Sequence, residues 1–318
     1  MFKLYPFLFL LIWITSCENE EKTNLPLHNK RVLILGNSIT QHGHYVDIME
    51  YYLRKAHPNS KLDIISIGLS AETISGTTEL GREFPRPYLH NRLDTALNEI
   101  KPDLVLACYG MNDGNYQPLD SLRFSAYKKG ILKLKSKVEQ RNAQLILLTP
   151  TVFDPDPIKN RISNDGEKHT YWHPYYDYNK VLTTYSDWLL SLATESQKVI
   201  NLNHNLNNVL MDMKGIKEDS TFVPDGVHPN KIGHFYIAQN VLRDLYPNLK
   251  LENPNIEMER LNNDSLFILI HKRRELRSEG WRNYIGFTKE KTVKSDDITS
   301  TIEKVKELDV LIESLQSE

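Results

Sequence analysis

Four short segments carry residues whose types and spacing could do chemistry. Gly36-Asn37-Ser38-Ile39-Thr40 follows the apolar run 32–35, so Ser38 would stand at a strand-to-helix turn with its hydroxyl exposed. Gly36 lets the backbone turn tightly. The same residues would also serve as an ordinary helix cap. Far downstream, Asp225-Gly226-Val227-His228-Pro229-Asn230 sets a carboxylate and an imidazole three residues apart in a Gly- and Pro-bearing loop. There the acid can accept from one ring nitrogen and leave the other free to take a proton from a serine. Pro229 and Asn230 also suit a helix start, so a cap is the plainer alternative. Tyr109-Gly110-Met111-Asn112-Asp113 offers an Asn amide that can face an oxyanion forming above Ser38, or a simple Asn-Asp turn. Ser70-Ala71-Glu72-Thr73 could complete an oxyanion hole with backbone N–H groups.

These segments need a scaffold that brings distant loops together. Apolar runs at 32–35, 62–67, 104–109 and 145–148, with a weaker one at 199–202, read as buried strands. Helical patterns lie between and after them, at about 44–57, 89–99, 118–141, 177–195 and 231–245. Alternation of this kind predicts right-handed crossovers and an α/β fold, a three-layer α/β/α sandwich around a mainly parallel five-stranded sheet. Ligands of such sheets sit beyond the carboxyl ends of the strands, where all four segments fall. The last 70 or so residues read as a helical addition: one helix from Pro254 to about Gly280, then residues 281–287, then a second helix. In that helix Ile298, Ile302, Val305, Leu308, Ile312 and Leu315 form one apolar stripe. It is expected to pack on the domain or on the preceding helix; a dimerising coiled coil is the alternative.

The order Ser, Asn, then Asp-x-x-His resembles the SGNH hydrolases, a branch of the GDSL esterases and lipases, over roughly residues 30–247. The resemblance implies a flavodoxin-like sheet, Ser38 as nucleophile, His228 as general base and Asp225 as its orienting partner. The oxyanion hole would be the backbone N–H of Ser38, the amide of Asn112 and a backbone N–H at Ala71. Two positions depart from the family pattern. Asn37 stands where Asp is usual, and Ala71 stands at the glycine of the second block, with Gly68 as the alternative if the register is shifted. An α/β-hydrolase is disfavoured, because no Gly-x-Ser-x-Gly elbow surrounds Ser38. The expected reaction is ester hydrolysis through an acyl-enzyme, with no cofactor. His42 and His44 flank the nucleophile turn, but two histidines make a weak ligand set and no metal is expected.

The chain ends and the composition bound the setting. Residues 1–17 carry Lys3, an apolar stretch at 4–15 and Ile14-Thr15-Ser16-Cys17, which resembles a bacterial lipobox. The stretch is too short to span a bilayer and has the length of a signal-peptide core. Lipidation at Cys17 and a tether at 18–28 are expected, which implies an exported lipoprotein on the periplasmic face of a membrane or at the cell surface. The 318 residues hold 39 Lys and Arg against 41 Asp and Glu, a net charge of −2, which argues against nucleic acid as partner. Two cysteines, Cys17 and Cys108, cannot build a disulfide framework. The catalytic domain is expected over 29–247 and the helical addition over 248–318.

Substrate signals are broader. Tyr171-Trp172-His173-Pro174-Tyr175-Tyr176-Asp177-Tyr178 could stack on sugar rings or simply pack at a helix start. Arg82, Arg86 and Arg92 could reach an acidic substrate or cap the crevice edge, and Lys272, Arg273, Arg274, Arg277 and Arg282 read as a solvated helix face. No long apolar acyl channel is legible. The resemblance extends to C-terminal helical additions in SGNH relatives from polysaccharide-degrading bacteria, and with the exported setting it implies a carbohydrate O-acetylesterase acting on a small-molecule or polysaccharide ester. The alternatives are a lipase or lysophospholipase-type acyl hydrolase, and a non-catalytic glycan-binding lipoprotein on the same scaffold.

Overall fold

A computed structural model describes residues 25–164, 166–286 and 297–317. The expected signal segment with Cys17, and residues 18–24 of the tether, lie outside them. Five strands, β1 (Arg31–Gly36), β2 (Asp63–Ser66), β3 (Leu104–Cys108), β4 (Gln144–Leu148) and β5 (Lys198–Ile200), form one all-parallel sheet in the order β2-β1-β3-β4-β5. Successive strand residues point to opposite faces. Val32 and Ile34 enter one buried cluster, while Leu33 and Leu35 enter the other. Both faces are therefore covered, which explains the near-continuous apolar runs.

Before the C-terminal region the helices are α1 (Ser38–His42), α2 (His44–Ala56), α3 (Leu93–Ile100), α4 (Ser121–Glu139), α5 (Tyr178–Leu190), α6 (Leu202–Ile216) and α7 (Lys231–Leu245). Side chains of α2, α6 and α7 fill one cluster, and those of α3, α4 and α5 fill the other. The helix expected over 89–99 opens as a separate 3-10 turn at Leu89–Asn91. Helix α6 was not legible, because Asn203, Asn205, Asn207 and Asn208 favour other conformations. It forms because Leu202, Leu206 and Leu210 bury one face and the Asn201 side chain accepts from the His204 N–H at its start.

The C-terminal region differs from expectation in three ways. The single helix expected to Gly280 is two helices, α8 (Pro254–Asn262) and α9 (Ser265–Ile285), followed by α10 (Thr299–Ser317). The break comes where Asp264 accepts from the Leu266 and Phe267 N–H groups and starts α9. Gly280 ends nothing. It sits inside α9, where a Cβ would lie 2.2 Å from Thr301 Oγ1 of α10, so its bare backbone allows the two helices to approach. Met258, Leu261, Phe267, Ile270 and Ile312 belong to the same buried cluster as β1 and α2, so these helices share the core of the sheet domain.

The basic run is not a solvated face, although Lys272 is exposed. Arg273 is buried and pairs with Glu50 and Asp309; Arg274 is buried and pairs with Asp47; Arg277 pairs with Asp63. Asp47 and Glu50 lie three apart on α2, so an acidic stripe there receives a basic stripe from α9. Buried charges persist only when paired.

At the other end, the last part of the expected tether is packed. Leu27 is buried, its N–H donates to the Tyr246 hydroxyl at 2.9 Å, and His28 Nδ1 meets the same hydroxyl at 2.9 Å. No helix among the described residues is long and apolar enough to cross a membrane. The close approach at Gly280 sets a test. Gly280→Val should destabilise the protein by about 1–3 kcal/mol through overpacking, read as a lower melting temperature. An unchanged melting temperature would mean that α10 is not seated at this point.

Candidate active site

The pairing of β1 with β3 sets Gly36 opposite Cys108, so the loops after both strands emerge side by side. Asn37 accepts from the Ile39 N–H at 3.2 Å and caps α1, which places Ser38 at the first helical position with a part-exposed side chain. The cap and the candidate nucleophile are thus one device, rather than alternatives. Gly36 is tightly hemmed: a Cβ there would lie 2.1 Å from Thr40 Oγ1.

Ser38 Oγ lies 2.8 Å from His228 Nε2, and His228 Nδ1 lies 2.7 Å from Asp225 Oδ2. The other carboxylate oxygen, Oδ1, accepts from the Val227 N–H at 2.9 Å and the His228 N–H at 2.6 Å. Burial alone would raise the Asp225 carboxyl. The hydrogen bonds from the His228 ring and backbone outweigh it and hold the carboxyl down at about 2. Arg161 donates to the Asp225 carbonyl at 2.9 Å and steadies the loop from behind. Pro229 and Asn230 then start α7, where Asn230 Oδ1 accepts from the Gly233 N–H at 3.0 Å.

Asn112 is buried with its amide fixed. Its Nδ2 donates to the Glu72 carbonyl at 3.0 Å, and its Oδ1 accepts from the Tyr116 hydroxyl at 2.9 Å. A carbonyl only accepts, so the Glu72 contact settles which end is NH2, and one N–H remains for the crevice. Ala71 has φ +64°, a left-handed conformation that an L-residue adopts only at a cost. This accounts for glycine at the matching position in the family, and it places Ala71 at the crevice with Ser38 and Asn112. Gly68 does not reach the crevice. A Cβ there would lie 2.4 Å from the Gln41 backbone nitrogen, so it is a contact glycine under α1.

The Ala71 loop is held from several sides. Gln41 Oε1 accepts from the Ser70 N–H at 2.6 Å, and Arg86 Nη1 donates to the Ala71 carbonyl at 3.3 Å. Asp113, fully buried, accepts from the N–H groups of Ile74, Ser75 and Gly110 at 2.8–3.0 Å. Gln41, Arg161 and Tyr116 were not singled out from the sequence, since their partners lie 4 to 64 residues away, and Arg86 was read only as a possible substrate contact or crevice cap. Only Asp113 stood inside a quoted segment.

The crevice holds about 640 Å³ and is also lined by Arg82, Phe84, Tyr116, Tyr171 and Trp172. Trp172 is 68% exposed and Tyr171 packs edge-on against Tyr116, whereas Tyr178 of the same segment is a core residue. Of the three arginines, Arg82 and Arg86 line the crevice, Arg86 in a two-pronged pair with Glu79, while Arg92 forms a buried pair with Glu72.

The two histidines beside Ser38 diverge. His42 lies 5.4 Å from the His228 ring, and burial, then the neighbouring His228, lowers its pKa. His44 turns toward Asp47 and His271, and those three residues offer ligand atoms within 4.8 Å of one another. The fit to a metal ion is poor. Arg274 Nε already lies 2.5 Å from Asp47 Oδ1, and His271 Nδ1 lies 2.8 Å from Oδ2, so a cation would meet a guanidinium charge. Cys108 ends β3 as a free thiol pushed up to about 12 by burial.

Comparison with known proteins agrees with this geometry. Residues 34–234, more than half of the chain, match the GDSL-like Lipase/Acylhydrolase family. No curated protein sequence matches. Among solved structures, the chain is similar to a gut microbial diltiazem-metabolizing enzyme, BT4096, at 16% identity and a TM-score of 0.50. That match covers 68% of this chain and 46% of that one, so the chain spans less than half its length. It is also similar to the acetyl xylan esterase AlAXEase (20% identity, TM-score 0.50, covering 67% and 98%). The acetylxylan esterase Axe2 from Geobacillus stearothermophilus is a further likeness (20%, 0.47, covering 69% and 94%). At these identities the first two likenesses speak for the fold. The family match is what assigns the chain: it belongs to the GDSL-like lipases and acylhydrolases, and so to the ester-hydrolysing serine hydrolases.

Proposed function

We infer that the protein hydrolyses O-acetyl esters of carbohydrate, with Ser38 as nucleophile. The observation that carries this reading is the unbroken chain from Ser38 Oγ through His228 to Asp225, at 2.8 and 2.7 Å. Ser38 attacks the ester carbonyl while His228 Nε2 takes its proton. The Ser38 and Ala71 N–H groups and the Asn112 amide receive the oxyanion. Collapse expels the sugar hydroxyl, which leaves with the proton from His228. Water, deprotonated in turn by His228, then attacks the acyl group and releases acetate, restoring Ser38.

The substrate class rests on the crevice. It is open and lined by both charged and aromatic side chains, with Trp172 and Phe84 as exposed aromatic surfaces. Such faces stack on sugar rings, and nothing there forms a deep apolar channel for a long acyl chain. A solved acetyl xylan esterase of the same fold makes acetylated xylan a natural first polymer to assay. The lipobox-like segment ending at Cys17 supports an exported lipoprotein acting on glycans outside the cytoplasm.

Three outcomes test this reading. Release of acetate from acetylated xylan and from an aryl acetate should fall by about 10³-fold or more in Ser38→Ala, and by about 10²–10³-fold in Asn112→Ala. Equal rates in Ser38→Ala and the wild type would sink the esterase, and cleavage of long-chain esters alone would remove the sugar assignment. Asp225 has a depressed pKa, so its stabilisation is complete above its ordinary value of 3.8 and is lost as pH falls through about 2. The gap in melting temperature between wild type and Asp225→Asn should therefore narrow from about pH 4 to about pH 2; a gap independent of pH would contradict it. Cys17→Ala should move the protein from the membrane to the soluble fraction of the producing cell, and continued membrane recovery would count against lipidation there.

A further inference from the structure

A second crevice of about 700 Å³ borders α1 and shares no lining residue with the crevice at Ser38. Gln41 and His42 form one wall, and the start of α7 and residues of α9 supply the others. The volume is in the range of small-molecule sites, about 300–1,000 Å³. Two of its groups lack the partners their burial calls for. Arg282, on α9, is part-buried, yet among the described residues no carboxylate lies within ion-pair distance of it. Among the described residues its one hydrogen bond is a long 3.5 Å contact to the Gly68 carbonyl. A guanidinium carries five N–H donors, so most of its fork is unused. Burial, with Arg92 and Arg274 nearby, brings its pKa down to about 10, and the opposing pull of Glu279 is too weak to restore it.

Ser278, one turn earlier on the same helix, is 2% exposed and its Oγ has no partner. It lines the same crevice. An orphaned hydroxyl beside an unpaired guanidinium is the donor set that a planar carboxylate satisfies in two-pronged fashion. The remaining wall is mixed. Gln41 uses its oxygen on Ser70, leaving its amide N–H groups, while Glu275 and Glu279 present exposed acceptors. Two carboxylates would repel a ligand that is anionic throughout. They suit one that is anionic at one end and hydroxylated at the other.

We propose that this crevice binds a sugar acid, with the carboxylate held by Arg282 and Ser278 and the hydroxyls by Gln41 and the two glutamates. The site is separate from the ester crevice and does not depend on the reaction assigned to Ser38. The Arg274–Asp47 pair closes its floor and is not available to the ligand.

Calorimetric titration of the full chain with glucuronate, glucose and inorganic phosphate tests the proposal. Glucuronate should bind about tenfold or more tightly than glucose, the worth of one charge-assisted contact. Binding should be unchanged in Ser38→Ala and weakened about tenfold or more in Arg282→Ala. Because Arg282 also touches Gly68, Ser278→Asp is the second variant. It places a carboxylate four residues before Arg282, supplies the missing partner within the chain, and should abolish glucuronate binding while keeping a cooperative thermal transition. Absence of glucuronate binding, equal affinity for glucose, tighter binding of phosphate than of glucuronate, or wild-type affinity in Ser278→Asp would each overturn the assignment.

Discussion

The Asp113 carboxylate is the constraint on which the site rests. Strands β2 and β3 are not neighbours; β1 lies between them. The loops that leave β2 and β3 must nevertheless meet above Ser38, and no sheet hydrogen bond can join them. Asp113 does so by accepting from Gly110 on its own side and from Ile74 and Ser75 on the other. Three N–H donors offset part of the cost of burying that carboxylate, which still raises its pKa. The bridge brings Glu72 within reach of the Asn112 amide, and that contact in turn fixes the face which Asn112 shows to the crevice. Ala71 is then held in a left-handed conformation by its neighbours rather than by its own preference.

The C-terminal helices depend on a different balance. Helix α9 meets α2 through charges as well as apolar contacts, and nearly the whole circumference of α2 is buried in consequence. A buried ion pair adds little net stability compared with well-packed apolar residues, but a mismatch leaves an uncompensated charge. Asp47, Glu50 and Asp63 therefore act as a template for the register of α9, since sliding that helix by one turn would leave Arg273, Arg274 and Arg277 opposite the wrong partners.

How much of this was legible in the sequence depended on the range of the interaction. The strands, Ser38 and the Asp225–His228 pair declared themselves because apolar runs and three-residue spacing are local signals. Helix α6 did not, because its asparagines lowered local propensity and only the burial of Leu202, Leu206 and Leu210 restored it. The basic run on α9 was misread for the same reason: without Asp47 and Glu50 in place, clustered arginines look like a wet surface. Gly280 looked like a helix end because its cause is Thr301, on another helix. Arg161 and Gln41 carried no signal of their own, since each serves a loop far along the chain through one backbone contact.

The chain enters the fold at the amino edge of the sheet, where Leu27 and His28 are pinned to Tyr246 at the end of α7. Ser38 stands at the carboxyl edge, beyond all six residues of β1. The length of that strand, roughly 20 Å, therefore separates Leu27 and His28 from the mouth of the crevice. Any support gripping the residues before Leu25 holds the domain by its base and turns the mouth outward. A polymer too large to slip beneath the domain would then meet the crevice from the open side, so the polarity of one strand determines from which direction a substrate can arrive.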